Sequence, residues 1–380
     1  MIVLCVNSGS SSVKLALFRD DERLASSTVE GVGRVPDHGQ AVHQALADLE
    51  ARGFPPPDAA GHRFVHGGPV HHGPRRLDPE LLDALRKAVP FAPLHLPAAL
   101  LGVEAVSARR PGMPQVACFD TDFHWNMPQV VRRLPLPREL DEAGVRRYGF
   151  HGLSYESVVA EIGAARLGRA VLAHLGNGAS MAAVRDGQCL DTTMAFTPAA
   201  GLVMSTRSGD LDPGLVAYFS RSEGMSAEQF DEMVNTQSGL LGISETSPDV
   251  RDLFKREKED ARAAEALALF CYQAKKWIGA LSAVLGGLDT LVFAGGIGEN
   301  GGEIRARICD GLGHLGLELD PARNEANAPI VSQAASKAIV RVIRTDEELL
   351  IARSVESLLT ATEQEIARNS LEARQTADRI

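Results

Sequence analysis

Short apolar runs that end in small residues recur along this chain, and they set its predicted elements. Residues 2–6 form an unbroken apolar run, 7–12 a loop of small polar residues and 13–19 a second strand, with Asp20-Asp21 as turn residues. The same order returns at 171–175, 176–180 and 181–185, where Asp186-Gly187 is a hairpin signal. The two copies lie about half a chain apart, which suggests an internal duplication; a chance likeness of two hairpins, only approximately matched in spacing, is the alternative. Between them, Asp78-Pro79-Glu80 supplies an N-cap, a proline at the first helical position and an early acidic residue, predicting a helix to about residue 89. Pro97 opens another to about residue 108, and 116–119 reads as a buried strand ending at Asp120. Farther on, 262–285 places Ala266, Leu269, Phe270, Trp277 and Leu281 at helical spacing, and 291–294 is a strand leading into Gly295-Gly296. Alternating strands and helices predict an α/β fold with ligands at the C-terminal ends of strands. From about Glu363 the chain is polar and charged, which reads as a frayed helix or a disordered tail.

Length and charge narrow this picture. A chain of 380 residues exceeds one ordinary core, so two domains are expected. A hydrophobic share of 44% and a charged share of 23% are those of a soluble globular protein. The net charge of -10 argues against a nucleic-acid backbone as partner, but not against a nucleotide, which local arginines and N–H groups can hold. The five cysteines are scattered without a C-x-x-C pair, which predicts free, buried thiols in a reducing compartment and neither a disulfide framework nor a zinc site. The start of the chain has no basic n-region, and 277–299 reads as the end of a helix followed by a strand, so a cytoplasmic protein with no membrane partner is expected.

The candidate chemistry is phosphoryl transfer. Small-residue segments at 7–12, 174–178 and 295–300 follow strand-like runs, where backbone N–H groups can face phosphate oxygens without a Cβ in the way. Arg63 and Arg207 lie in Gly- and Ser-rich segments rather than on helix faces, so both are expected to be loop arginines that contribute little to a core. Such arginines and a carboxylate like Asp120 are the groups that stabilise a moving phosphoryl and orient a metal. No G-x-x-x-x-G-K-[ST] occurs, and 296–300 lacks the full dinucleotide fingerprint, which argues against a P-loop NTPase and a Rossmann dehydrogenase. Of eleven histidines most read as structural or exposed; His62, His66, His71 and His72 resemble a metal cluster by count, but the strand between the first two and the turn beneath the others argue against it.

The stretch Val6-Asn7-Ser8-Gly9-Ser10-Ser11-Ser12-Val13-Lys14 resembles the start of the acetate kinase family. The resemblance runs on, in order, through Gly61-His62-Arg63-Phe64-Val65-His66-Gly67-Gly68, Ala92-Pro93-Leu94-His95, Phe119-Asp120-Thr121, Tyr148-Gly149-Phe150-His151-Gly152 and His174-Leu175-Gly176-Asn177-Gly178. Phe196-Thr197-Pro198, Thr206-Arg207-Ser208-Gly209-Asp210, Ser238-Gly239-Leu240-Leu241-Gly242, Asp249-Val250-Arg251, Gly295-Gly296-Ile297-Gly298-Glu299-Asn300 and Thr345-Asp346-Glu347-Glu348 complete it, over residues 2 to about 353. It departs from the family at Leu96, Asp122, Leu153, Tyr155, Ser205 and Asp346, with Tyr155 standing where a second histidine is usual. None of these removes a charged or metal-binding position.

That resemblance implies two duplicated α/β domains of the acetate-and-sugar-kinase, Hsp70 and actin type with a central cleft: 1–147 plus about 350–380 on the acyl and metal side, and 148–349 on the nucleotide side. It implies a homodimer that transfers phosphoryl reversibly between ATP and a short-chain carboxylate, giving acyl phosphate and ADP with Mg2+, Mn2+ being possible in its place. Arg63, Asp120, His151, Arg207 and His95 would be catalytic, Asn7 and Glu347 metal positions, and Val65, Leu94, Phe150 and Pro198 an apolar acyl pocket shared with Arg63. Lys14, Ser10, Ser12, His174, Leu175, Gly176, Asn177, Gly178, Asp249, Val250, Arg251, Gly296, Ile297, Gly298, Glu299 and Asn300 would bind the nucleotide. A short carboxylic acid is ionised at neutral pH and needs no general base, so Asp120 is expected to orient Mg2+ or Arg63. Glu348 competes with Glu347 on charge grounds. An ATP-binding regulatory or chaperone-like module of the same broad fold is the alternative; it would have lost the acyl-site arginine or the metal carboxylate, which this chain keeps.

Overall fold

The structure, a computed structural model, describes residues 1–9, 12–32 and 37–377; Ser10 lies outside the described residues. The chain divides into two compact units, one of residues 1–122 with 346–380 and one of residues 123–345. Each is built on a mixed sheet. In the first, β1 (Ile2–Ser8), β2 (Ser12–Arg19) and β3 (Glu22–Glu30) form an antiparallel meander, and β4 (Ala59–Phe64) and β6 (Gln115–Phe119) add in parallel beyond β1. The two-residue β5 (Arg75–Arg76) closes the order β3-β2-β1-β4-β6-β5. In the second unit β7 (Arg169–Leu175), β8 (Ala179–Arg185) and β9 (Gln188–Thr192) repeat the meander, and β10 (Thr290–Ala294) and β11 (Ile339–Val342) repeat the parallel pair, in the order β11-β10-β7-β8-β9.

The repeat extends to details that a chance likeness would not share. Ser8 pairs with Val13 across the first hairpin and Leu175 with Ala179 across its counterpart. The following turns both carry an aspartate in the left-handed region, Asp20 and Asp186, each at φ 53°. Both second hairpins slip register at the matching place, Leu17/Phe18 and Ala183/Val184. Asn7 on β1 faces Lys14, and His174 on β7, its counterpart, faces Ser180.

Helices cover the sheets where the sequence pattern places them. Pro79–Lys87 is capped by the Asp78 carboxylate, which accepts from Leu81 N at 2.8 Å, and Leu96–Arg109 and Ala261–Leu285 follow their apolar periodicity. Leu96, a departure from the family, is wholly buried in the cluster of Phe64, Leu85, Val103 and Phe119. The last helix, Glu347–Ala377, packs on β1 and β4, and a Cβ at Gly61 would fall inside its Ile351 side chain. All five cysteines are free and buried. Among the described residues no helix is long and apolar enough to cross a membrane.

The units part at 122/123 and 345/346, whereas the sequence expectation put the boundaries at 147/148 and about 350. Phe123, Met127 and Val131 pack with Tyr155, Leu172 and Val292, so residues 123–147 belong to the second core.

Candidate active site

In the first unit three adjacent parallel strands end side by side and deliver Asn7, Arg63 and Asp120. Asn7 is on the last turn of pleat of β1, Arg63 is on β4, and Asp120 follows β6, its N–H donating to Phe64 O at 2.9 Å. Arg63 is therefore a strand residue and not a loop arginine. Its Nη2 donates to Asp120 Oδ2 at 2.7 Å and its Nε to the same oxygen at 3.1 Å. Its Nη1 meets Glu347 Oε2 at 3.1 Å and Asn7 Oδ1 at 3.3 Å. Burial opposes the guanidinium charge, but Asp120 and Glu347 more than offset it and hold the Arg63 pKa above the ordinary arginine value. Asp120 is 1% exposed.

A second arginine extends this array. Glu348 accepts from Asn7 Nδ2 at 3.3 Å and lies 3.6 Å from Arg23 Nη2. Arg23 also pairs with Asp346 at 2.6 Å, and Asp346 caps the last helix by accepting from Leu349 N at 2.9 Å. The family departure at Asp346 thus adds an ion pair, while the helix cap is one that an asparagine would also make. Arg23 carries no local signal, because its partners lie more than three hundred residues away in the chain.

The second unit gathers His151, His174, Gly178 and Arg207. His151 is the N-cap of helix Gly152–Ile162 in a left-handed conformation, φ 65° and ψ 31°, a strained geometry for a non-glycine residue that clusters at functional positions. Its ring stacks on His174 with centroids 4.3 Å apart and planes 16° from parallel. His151 Nδ1 lies 2.8 Å from Ser180 Oγ, and His174 Nδ1 lies 2.7 Å from Ser154 Oγ. A Cβ built at Gly178 would lie 3.0 Å from His151 Nε2 and 3.5 Å from Arg207 Nη1, so both groups face the glycine. Arg207 Nη1 reaches the Pro198 carbonyl at 3.4 Å and Met204 Sδ at 3.9 Å, and burial lowers its pKa. Among the described residues no carboxylate pairs with it.

The glycine segments differ in form. Leu175 ends β7, and 176–178 is a tight turn in which Gly176 N donates to Gly178 O at 3.0 Å. Ser205 N donates to Asn177 O at 3.2 Å, and Ser205 Oγ lies 3.4 Å from Asn177 Oδ1. The segment expected as a loop at 295–300 is instead a short helix, Gly295–Asn300, directly after β10. A Cβ at Gly295 would meet Leu175 O at 2.7 Å and His174 Nε2 at 3.1 Å, which explains the glycine there. Arg305, fully buried and unmarked in the sequence, donates to the carbonyls of Gly298 at 2.7 Å and Glu299 at 3.1 Å and anchors this helix. Gly296 O accepts from Asn300, and Glu299 Oε1 accepts from Thr345 N.

Other expected residues are spread more widely. Lys14 is exposed opposite Asn7, and Ser12 is half-buried with its carbonyl accepting from Gly9 N. His95 is the N-cap residue of Leu96–Arg109, with Leu94 exposed beside it. Val65 and Pro198 are half-buried, whereas Phe150 is a core side chain. Asp249 caps helix Val250–Arg256 and pairs with Arg251, while Val250 and Ile297 are buried and half-buried respectively. His62 is a core histidine: burial takes its pKa down to about 4, although a hydrogen bond to Gln115 Oε1 at 2.7 Å opposes the shift.

Comparison with known proteins places these residues in a context. The chain matches the model of the acetokinase family over residues 25–353. It is 44% identical to an acetate kinase of Micrococcus luteus over 382 residues, covering 93% of this chain and 98% of that protein. An acetate kinase of Rhodopseudomonas palustris is 40% identical over 390 residues, 93% and 97% of the two chains. Among solved structures, Porphyromonas gingivalis acetate kinase superposes with a TM-score of 0.86 at 37% identity, covering 94% of this chain and 99% of that one. A propionate kinase from Francisella tularensis gives 0.87 at 34% identity, with 93% and 98% covered.

Proposed function

The chain belongs to the acetokinase family, and from that premise we propose that it phosphorylates acetate reversibly with ATP and also accepts propionate. It is a phosphotransferase that moves a phosphoryl group from ATP to a short-chain carboxylate, on the acetate-and-sugar-kinase, Hsp70 and actin fold. The observation that supports the assignment of roles most is Arg207. A largely desolvated guanidinium whose partners among the described residues are a carbonyl and a thioether is a charge prepared for an incoming anion.

The reaction brings anion to anion, so charge and geometry matter more than proton transfer. Arg63 holds the substrate carboxylate, and Asp120 positions Arg63 by accepting from that guanidinium at 2.7 and 3.1 Å. Arg207 and His151 take the charge that develops on the equatorial oxygens of the transferring phosphoryl, and His95 assists on the acyl side. His174, Leu175, Gly176, Asn177 and Gly178 line the phosphates. Gly296, Ile297, Gly298, Glu299, Asn300, Asp249, Val250 and Arg251 are the adenosine-side residues of this reading, and Lys14, Ser10 and Ser12 its further nucleotide-binding residues. Val65, Leu94, Phe150 and Pro198 are the acyl-contacting residues of this reading, and an apolar pocket separates chains by only about 1–3 kcal/mol per methylene.

The residues present fit Mg2+. Glu347 Oε2 and Asn7 Oδ1 are hard oxygens that already face one cationic nitrogen, Arg63 Nη1, at 3.1 and 3.3 Å. Mg2+ takes one or two such protein ligands and completes its shell with water and phosphate. Among the described residues no group of three or more metal-binding side chains occurs. When bound, Mg2+ or Mn2+ would neutralise the phosphate oxygens. Glu347→Ala is expected to raise the Mg2+ concentration needed for half-maximal rate more than the acetate KM. An unchanged Mg2+ titration would move the role to Glu348.

The working form is a homodimer. Helix Gly214–Glu223 has no buried residue although it carries Leu215, Val216, Tyr218 and Phe219, and Tyr218 is 56% exposed. An apolar helix so uncovered suits a second copy of the chain. Light scattering should return twice the 40.6 kDa chain mass, and Tyr218→Glu should lower it; a monomeric wild type would remove this part of the reading.

Trapping with hydroxylamine tests the activity. ATP, Mg2+ and acetate should yield acetyl hydroxamate, propionate less, and formate and butyrate little. Nucleotide binding without hydroxamate from any of these acids would favour a regulatory module.

A further inference from the structure

Three carboxylates stand in a row where the last helix begins, Asp346, Glu347 and Glu348, and two arginines divide them. Glu347 faces Arg63. Asp346 and Glu348 face Arg23, at 2.6 Å and 3.6 Å from its Nη2. Successive side chains of a helix point about 100° apart, which sends the neighbouring glutamates to different partners. Arg23 is placed by a bulge: Leu17 pairs with Ala25 and Phe18 with Arg23, so Leu24 is the extra residue of β3. Such a slip re-aims the side chains around it. The Arg23 guanidinium lies over the Phe18 ring, 4.7 Å from its centroid, and Phe18 is 1% exposed. The Arg23 and Asp346 side chains are 36% and 38% exposed, and a pair so open to water contributes little to stability.

The Asn7 amide sits between these two groups of charges. Its Oδ1 accepts from Arg63 Nη1 at 3.3 Å, and its Nδ2 donates to Glu348 Oε1 at 3.3 Å. Turned over, the amide would set its NH2 against the guanidinium and its oxygen against a carboxylate, so both neighbours select one orientation. That orientation keeps Oδ1 on the side of Glu347, because both face Arg63 Nη1. Glu348 divides its oxygens, Oε1 to Asn7 and Oε2 to Arg23. We propose that Arg23 is a positioning residue for the divalent cation: it holds Glu348, and Glu348 holds the Asn7 amide with Oδ1 beside Glu347. This rests on the reading of Asn7 and Glu347 as metal positions and deepens it, since it makes Glu348 the keeper of one ligand and not itself a ligand. Asp346 and the Phe18 ring hold Arg23 in turn. An arginine that acted here only through its charge would repel a cation, and its loss would tighten metal binding. Positioning predicts the opposite sign.

Calorimetry of ADP binding to the full chain, once with Mg2+ and once with EDTA, reads the gain in ADP affinity that the metal provides, without turnover. Removing a group that orients a metal ligand costs about 10–100-fold in metal affinity, so Arg23→Ala is expected to cut this gain by about tenfold. ADP affinity in EDTA should stay that of the wild type, whereas a merely structural role would move both. Arg23→Gln keeps the stem over Phe18 and should lose the same gain, so a folding defect of Arg23→Ala does not shield the proposal. Glu348→Ala should show the same loss, and Arg23→Ala added to it no further loss, because one residue acts through the other. A gain unchanged or increased in Arg23→Gln, or losses that multiply in the double variant, would overturn the proposal. Glu347→Ala separates the two levels of the argument. A gain lost there and kept in Arg23→Gln overturns the positioning role alone; a gain kept in Glu347→Ala removes the metal reading and the proposal with it.

Discussion

Arg207→Ala is expected to lower kcat by about 10²–10³ while leaving the thermal midpoint of the protein unchanged. The rate loss follows by analogy with removing one oxyanion-hole donor, about 2.7–4 kcal/mol of transition-state stabilisation. The stability expectation follows from its surroundings. Arg207 has a carbonyl at 3.4 Å and a sulfur at 3.9 Å, and its burial is opposed by desolvation with no carboxylate among the described residues to offset it. Removing it leaves no charge stranded. Steady-state kinetics beside a thermal melt check both halves. Turnover near that of the wild type would take Arg207 out of the mechanism, and a lowered melt would mean that it holds the loop as well.

Arg63→Ala is expected to abolish measurable turnover and also to destabilise the first unit. Here the surroundings are the reverse. The guanidinium is the cation between Asp120, Glu347 and Asn7, and Asp120 has a 2%-exposed side chain. Stripping one partner from a buried pair costs about 3–5 kcal/mol because the other charge stays buried and unpaired. Arg63 itself is 18% exposed, so water entering its place favours the lower figure. For a unit of this size that corresponds to a drop of about 6–12 °C in the melting step of the first unit. Adding Asp120→Asn should recover much of the melt and none of the activity, since it removes the stranded charge without restoring the guanidinium. A double variant as unstable as Arg63→Ala would mean that packing, and not the orphaned carboxylate, is the cause.

The contrast between these two arginines marks how far the motifs reach. Both sit among small residues in the sequence and invite the same reading as loop residues. In the structure Arg63 lies on β4, locked by carboxylates that arrive from β6 and from the last helix, while Arg207 has none among the described residues. Asn7 shows the same limit: it meets Glu348 across 341 positions of chain. Ser180 was hidden for a milder reason. It faces His174 across a hairpin, so the spacing was present, but nothing local marks a serine as a partner of an imidazole.

What the sequence determined by itself was whatever depends on neighbours in the chain: the strand and helix periods, the Asp78 cap, the two hairpins with their aspartate turns, and the glycine segments after strands. Those are set by backbone sterics and local hydrogen bonds, which act within a few residues. The motif resemblance carried the reaction class, because ordered segments spread over most of the chain are specific as a set. Only the tertiary structure decided that 123–147 joins the second core, that 295–300 is helical, which carboxylates hold Arg63, and which hydroxyl meets His151. Sheet order and register bring those groups together from distant segments, and whether a charge is paired or stranded is a property of the neighbours that register selects.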